Sequence, residues 1–570
     1  MKRFASVDFM RGLAIMLMLV LHMIMHTLNV DAMTADMSKV RLIEFVMMVI
    51  LPFGGGMAGF FLMVSAMGNA VSMENELRNG ASAKAIAGRQ LTGGLILLFF
   101  AMLTEGLIGY HGDLGLFVHR SLMAASDPAL GPVHWEWNHA LFRFNHFETI
   151  HTIAWCIIIN GLIHSALSAR EKFRDKNKLI LCYIKLAVLV LLLTPLAWAF
   201  AGLIIPGFPF STGDFLSSYP RIGEATLGRF ILVFFLEPLA GHPEPLFPYL
   251  AASFVGTIFG LFLTMPQEQR KTKSFVSATL RSGIIMYLIG LAGLLFNILW
   301  VIQKQGFDAG LNLYLNIWDH RGWTQEIFGT PFIGWYFQFM LLNGFGILVI
   351  MSMIRLVELR GKARSFGKRT RFVRRFGFVA FTNYSMQFLY FVAMFIAFDW
   401  LLGTPYARYT GFWGHAALTI LVGIGLYAVL LYLWEKIRFA GTLEWAIREI
   451  NYFLNRERRK KLKEKGIKWY NAGLLNVKGI LYSADWADLV TESEIDHAGG
   501  EESRLAKKLA WAGLVFPPYS IVGFSIALRA RKKESGHPEN RKALIISSAS
   551  LIFFLVWLTA FFILTPAMFG

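Results

Sequence analysis

An arginine and a histidine stand eleven residues apart in the first apolar segment, Arg11 and His22. At about 100° per residue, that spacing returns to nearly the same face of an α-helix, roughly three turns on. Asp8, His26 and Asn29 fall within about 60° of that line. Ionisable side chains inside a membrane helix are costly and tend to mark a site. His22 lies about 21 Å from Asp8 along such a helix, past the midplane of a hydrocarbon core about 30 Å thick. A neutral imidazole there can take a proton from a hydroxyl or amine nucleophile. Arg11, near the helix start, could hold a phosphate or pair with Asp8. A purely structural assignment stands beside this one. Asp8 would cap the helix, Arg11 would snorkel to the head groups, and His22 would hydrogen-bond a neighbouring helix.

Other residues could contribute. His151 opens a later apolar segment with Glu148 three residues before it, and the two could share a proton. Arg89 opens another segment among cations and could meet a phosphate. Asn383, Tyr384 and Gln387 cluster at one helix end, where they could line an acceptor cavity or tie helices together. Trp135 stands in a stretch rich in His and Trp. The pairs His134/His139 and His146/His151 are spaced by five, not the four that puts two ligands on one helix face, so no metal is expected. Gly54-Gly55-Gly56 lacks the Lys-Ser/Thr that completes a phosphate loop.

These residues need a membrane scaffold. The chain has 570 residues, 55% hydrophobic and only 16% charged, with a mean hydropathy of +0.51. That composition predicts an all-α integral membrane protein. A β-barrel is excluded because the apolar runs do not alternate. Ten spans are expected near 8–28, 43–68, 88–110, 148–168, 181–204, 247–265, 283–303, 333–355, 379–400 and 414–434. The net charge of +18 does not imply nucleic acid, because the cations cluster in alternate loops. They lie at Arg78–Arg89, Arg170–Lys178, Arg270–Arg281 and, nine of them, Arg355–Arg375. The positive-inside rule then places the N-terminus in the cytoplasm and the loops 111–147, 205–246 and 304–332 outside. The core is read as 1–434. A basic amphipathic helix at 435–465 lies on the inner leaflet, a polar linker covers 466–505, and a hydrophobic hairpin of two segments covers 506–570.

Several stretches resemble known membrane acyltransferases. Ser6-Val-Asp8-Phe-Met-Arg11-Gly12 resembles the opening of the heparan-alpha-glucosaminide N-acetyltransferase catalytic-domain family. The Arg11-to-His22 spacing resembles the opening motif of the acyltransferase-3 membrane family. Pro52 followed by Gly59-Phe-Phe-Leu-Met-Val-Ser65 is similar to the second helix of both. Pro245-Leu-Phe-Pro248-Tyr-Leu resembles a segment of bacterial acetyltransferase-like members. Phe381-Thr-Asn383-Tyr384-Ser-Met-Gln387 and Arg438-Phe-Ala-Gly-Thr-Leu-Glu444-Trp445 resemble two segments of the YeiB-like family. The similarity covers residues 1 to about 450 and leaves the tail uncovered.

The resemblance implies an acyl-CoA donor, acetyl-CoA for example, on the cytoplasmic side. It also implies an acceptor hydroxyl or amine reached from outside, on an envelope glycan or glycolipid, in a prokaryotic plasma membrane. His22 takes the acyltransferase-3 histidine position. The heparan-type enzymes have their histidine farther on, where His26 is the nearest match without the same spacing. Arg11 and Arg89 would hold the donor phosphates. Homo-oligomers are compatible with this assignment. Two other classes fit the polar stripe: a transporter or flippase of a lipid-linked or small polar solute, and a non-catalytic membrane sensor.

Overall fold

Leucine and alanine, both good helix formers, recur through the long apolar runs. In the computed structural model the described residues are mostly helical, and an isolated parallel β-bridge joins Arg3 to Trp486. The structure describes residues 3–28, 58–109, 112–137 except 136, 149–204, 227–240, 244–315, 331–406 and 413–454. It also describes 471–489 except 472 and 488, 501–513, 518–533, 538–569 and a few positions between 459 and 466.

The first elements are α1 (Ala5–Thr27), α2 (Ala58–Arg78), α3 (Ala83–Leu107), α4 (Asp113–Ser126), α5 (Thr149–Ser168) and α6 (Lys176–Ile204). Then come α7 (Leu227–Ala240), α8 (Leu246–Thr264), α9 (Thr272–Gln305), α10 (Phe307–Leu315) and α11 (Pro331–Val357). Four short helices follow, α12 (Ala363–Arg369), α13 (Arg371–Phe378), α14 (Ala380–Ser385) and α15 (Leu389–Phe395), before α16 (Trp413–Lys436) and α17 (Leu443–Leu454). The last three are α18 (Glu501–Gly513), α19 (Pro518–Lys533) and α20 (Pro538–Phe569).

Among the described residues, eight helices are long and apolar enough to cross a membrane: α1, α3, α5, α6, α8, α9, α11 and α16. The chain is an integral multi-pass membrane protein. These eight correspond to eight of the ten expected spans. The expected span at 379–400 is not one helix. α14 stops at Ser385, a turn occupies Met386–Phe388, and α15 passes into a π-helical stretch, Ile396–Leu402. The expected span at 43–68 is described only from Ala58, where α2 continues to Arg78.

The chain divides into two units, one holding the described residues of 1–28 and 51–489 and the other those from 490 onward. In the first unit α8 is central, with 89% of its apolar window buried. Its Gly256-x-x-x-Gly260 lets α2 approach closely. A Cβ at Gly256 would stand 2.2 Å from the Met63 carbonyl oxygen. α6 and α9 are only 33% buried over their windows and turn leucines outward, as lipid-facing helices do.

The charged ends of the helices meet at one end of this unit. Glu74 of α2 bonds Lys176 of α6 at 2.8 Å and stands 3.2 Å from His164 of α5. Residues 473–489, within the stretch read as a linker, pack in the same unit, where Trp486 bridges to Arg3.

Among the described residues the second unit contains three helices, where two apolar segments were expected from 506 onward. α18 ends at Gly513 and α19 starts at Pro518, which fits a first helical turn because it needs no N–H partner. The Ser520 and Ser550 hydroxyls meet at 2.7 Å, and Ser550 also donates to the Ala510 carbonyl at 2.6 Å.

Candidate functional site

α1 starts in a buried charge cluster. Its first turn leaves N–H groups without helical partners. That of Ser6 donates to the Glu358 carboxylate at 2.9 Å. Asp8 accepts from Arg3 Nε at 2.9 Å and Nη2 at 2.8 Å, and Arg374 Nη2 stands 3.8 Å away. Asp8 is therefore an ion-pair partner of Arg3 and Arg374, and the residue at the N-cap of α1 is Phe4, which makes no side-chain cap hydrogen bond.

Arg374, on α13, is fully buried. It donates to the carbonyls of Gly367 at 2.8 Å and Ile480 at 2.6 Å, and lies over the Trp486 ring at 4.4 Å. Burial pulls its pKa down to about 10, and the Asp8 charge opposes that pull.

α1 crosses α13 at glycines. A Cβ at Gly12 would stand 2.0 Å from the Val373 carbonyl oxygen, and one at Gly377 would stand 2.7 Å from the Gly12 nitrogen. Arg11, at this crossing, is partly buried and feels the charges of Asp8, Arg3 and Glu444. Glu444, the first acid of α17, accepts from Phe381 N–H at 2.7 Å and Thr382 Oγ1 at 2.6 Å. Burial raises its pKa above the ordinary value, with the Thr382 bond opposing. The stretches 381–387 and 438–445 thus meet beside the start of α1.

Asn383 is fully buried and donates to the Phe376 carbonyl at 3.0 Å. Its Oδ1 and the Gln387 Oε1 are buried acceptors without a hydrogen-bond donor, at the break between α14 and α15. Tyr384, between them, is partly exposed.

Farther along α1, His22 and His26 flank one aromatic ring. His22 lies 6.0 Å from Tyr390, nearly parallel, and His26 lies 6.1 Å from it. Tyr390 is fully buried on α15. The His22 Nδ1 sits 2.9 Å from the Met18 carbonyl oxygen. A carbonyl oxygen only accepts, so Nδ1 carries the proton and, in the neutral ring, Nε2 is the basic nitrogen.

The chain of rings continues beyond Tyr390. His26 meets Phe391 at 5.4 Å, and His119 of α4 stacks on Phe391 at 4.3 Å. The His119 Nδ1 is 2.7 Å from the Tyr406 hydroxyl. His119 was visible as one histidine of a His- and Trp-rich stretch, but its pairing with Tyr406 had no signal in the sequence, because 287 residues separate the two.

Other predicted residues lie elsewhere. His151 is buried on α5, which packs on α2, α3 and α8, whereas α1 packs on α2, α11 and the helices α12 to α16. Nearby, Thr149 Oγ1 donates to the Glu244 carboxylate at 2.7 Å and Thr152 to its carbonyl. Glu148 lies outside the described residues, as do His139 and His146. Arg89 is paired with the Glu76 carboxylate. Trp135 is exposed and packs on Phe117 of α4 at 5.4 Å and on Trp137 at 5.3 Å. Among the described residues no three His, Cys, Asp or Glu side chains gather to hold a metal ion.

No protein-family model matches this chain, and no curated protein matches it either.

Proposed function

We propose that this protein is a membrane-bound acyltransferase that moves an acetyl or other short acyl group from acyl-CoA to a hydroxyl or amine. The observation that carries this reading is His22. Its ring is held against Tyr390 on a spanning helix, and its Nδ1–H is committed to the Met18 carbonyl, so Nε2 is the nitrogen able to accept a proton. The resemblance of the stretches around Arg11, His22, Asn383 and Glu444 to membrane acyltransferases supports it.

In this reading the basic end faces the cytoplasm, by the positive-inside rule. The donor binds there, with Arg11 toward its phosphates and Arg89 exchanging its Glu76 partner for one. The acceptor approaches from the opposite side, past the aromatic residues of α4 and Trp135. It is an envelope glycan or glycolipid of a prokaryotic plasma membrane. His22 Nε2 removes the proton as the acceptor oxygen or nitrogen attacks the thioester carbon. The carbon–sulfur bond then breaks, and the imidazolium returns the proton to the CoA thiolate.

Purified protein in nanodiscs, given acetyl-CoA and an envelope lipid extract, should release free CoA thiol and yield an acylated acceptor. Transport of labelled solute with no thiol release would favour a transporter and contradict this reading.

A further inference from the structure

The nine-cation stretch 355–375 is not uniformly neutralised. Arg374 is engaged by Asp8 and two carbonyls, and Arg375 by Glu435 at 2.6 Å. Arg364, Lys368 and Arg371 instead line a cavity of about 430 Å³. That volume is within the usual range of small-molecule sites.

The three cations sit at i, i+4 and i+7 across α12 and the start of α13. Like charges four apart on a helix repel, and among the described residues no carboxylate pairs with any of the three. The Arg371 guanidinium is stacked on the Tyr482 ring at 4.8 Å, and its Nε is buried with no hydrogen-bond partner. The opposite wall holds Ser483 and Trp486. Trp486 is fixed there, its ring covered by Arg374 and its edge set against Gly367, where a Cβ would stand 2.5 Å away. Glu435, which accepts from the Tyr482 hydroxyl, is also taken up by Arg375. Phe372 and Ile437 stand exposed beside this end, as apolar residues do at a membrane interface.

We propose that this cavity binds a phosphate-bearing group, held by Arg364, Lys368 and Arg371. Two sources carry that chemistry: the head group of an anionic phospholipid and a soluble phosphate. Arginine supplies paired N–H donors to phosphate oxygens, and Lys368 adds a point charge. This site is independent of acyl transfer.

The test uses the full chain. One arm measures retention of phosphatidylglycerol against phosphatidylcholine by native mass spectrometry. The other measures inorganic pyrophosphate binding in phosphatidylcholine nanodiscs. The triple variant R364Q/K368Q/R371Q removes the charge, and Ser483→Trp fills the cavity while keeping it. The expected result is a loss of at least about tenfold in one arm for both variants, with a wild-type unfolding midpoint for Ser483→Trp. A lipid-arm loss identifies the head group, and a pyrophosphate-arm loss identifies a soluble ligand. Unchanged binding in both arms overturns the proposal. So does a loss in the charge variant that Ser483→Trp does not share, because that is surface attraction without a pocket.

Discussion

The imidazole of His22 and the phenol ring of Tyr390 lie 6.0 Å apart with their planes 15° from parallel. One comes from α1 and the other from α15, so the orientation of the proposed base depends on a helix from the far end of the core sequence.

Removing the Tyr390 ring should misalign His22. Tyr390→Ala is expected to lower acyl-transfer turnover with His22 intact and to cost about 3–5 kcal/mol of stability, the range for truncating a buried aromatic. Tyr390→Phe keeps the ring pair and should retain much more activity. Equal turnover in the two variants would show that the ring does not orient the histidine.

The glycine crossing should tolerate no side chain. A Cβ at Gly12 meets backbone at 2.0 Å, and backbone cannot rotate away as a side-chain tip can. Gly12→Val should give little folded protein in detergent extracts, judged by size-exclusion profiles. A monodisperse wild-type profile would contradict this packing.

Arg374 should matter more than any surface cation. Breaking a buried ion pair from one side costs about 3–5 kcal/mol, because the remaining charge loses its partner. Arg374→Met should lower the unfolding midpoint markedly, whereas Arg369→Met, on an exposed position, should leave it within error. Similar midpoints for the two would remove Arg374 from its central place.

Glu444 gives a pH signature. Burial raises its pKa above the ordinary 4.5, so the folded state holds the proton more tightly than the unfolded chain. The associated stability is present below pH 4.5 and is lost as pH rises through the folded value. Glu444→Gln cannot titrate, so the difference in stability between wild type and variant should shrink from acid to neutral pH. A difference that stays constant, or grows, would mean the carboxylate is not desolvated as described.

The spans were legible because long apolar runs of about 20 residues have few alternatives in a chain of this hydropathy. The break at Met386–Phe388 was not, because neither proline nor glycine marks the turn and the stretch 379–400 is otherwise apolar enough to read as one span. Polar residues at Asn383 and Gln387 were visible, but the bonds of the neighbouring Phe381 and Thr382 to Glu444 of α17 join residues some sixty positions apart. The face carrying Asp8, Arg11, His22 and His26 was legible from helical periodicity. What each residue touches was not: Arg3 and Arg374 take Asp8 through contacts that no spacing rule on α1 describes. Trp486 was hidden in a polar stretch without periodicity, yet its ring lies under Arg374.

The most direct measurement is acyl-CoA turnover by His22→Ala beside His26→Ala in the same nanodiscs, with folding verified by the unfolding midpoint. Loss of a general base typically removes about 10²–10⁴ in rate. His22→Ala should lose turnover on that scale while His26→Ala retains most of it. Wild-type turnover in His22→Ala would contradict the assignment of His22 as the base.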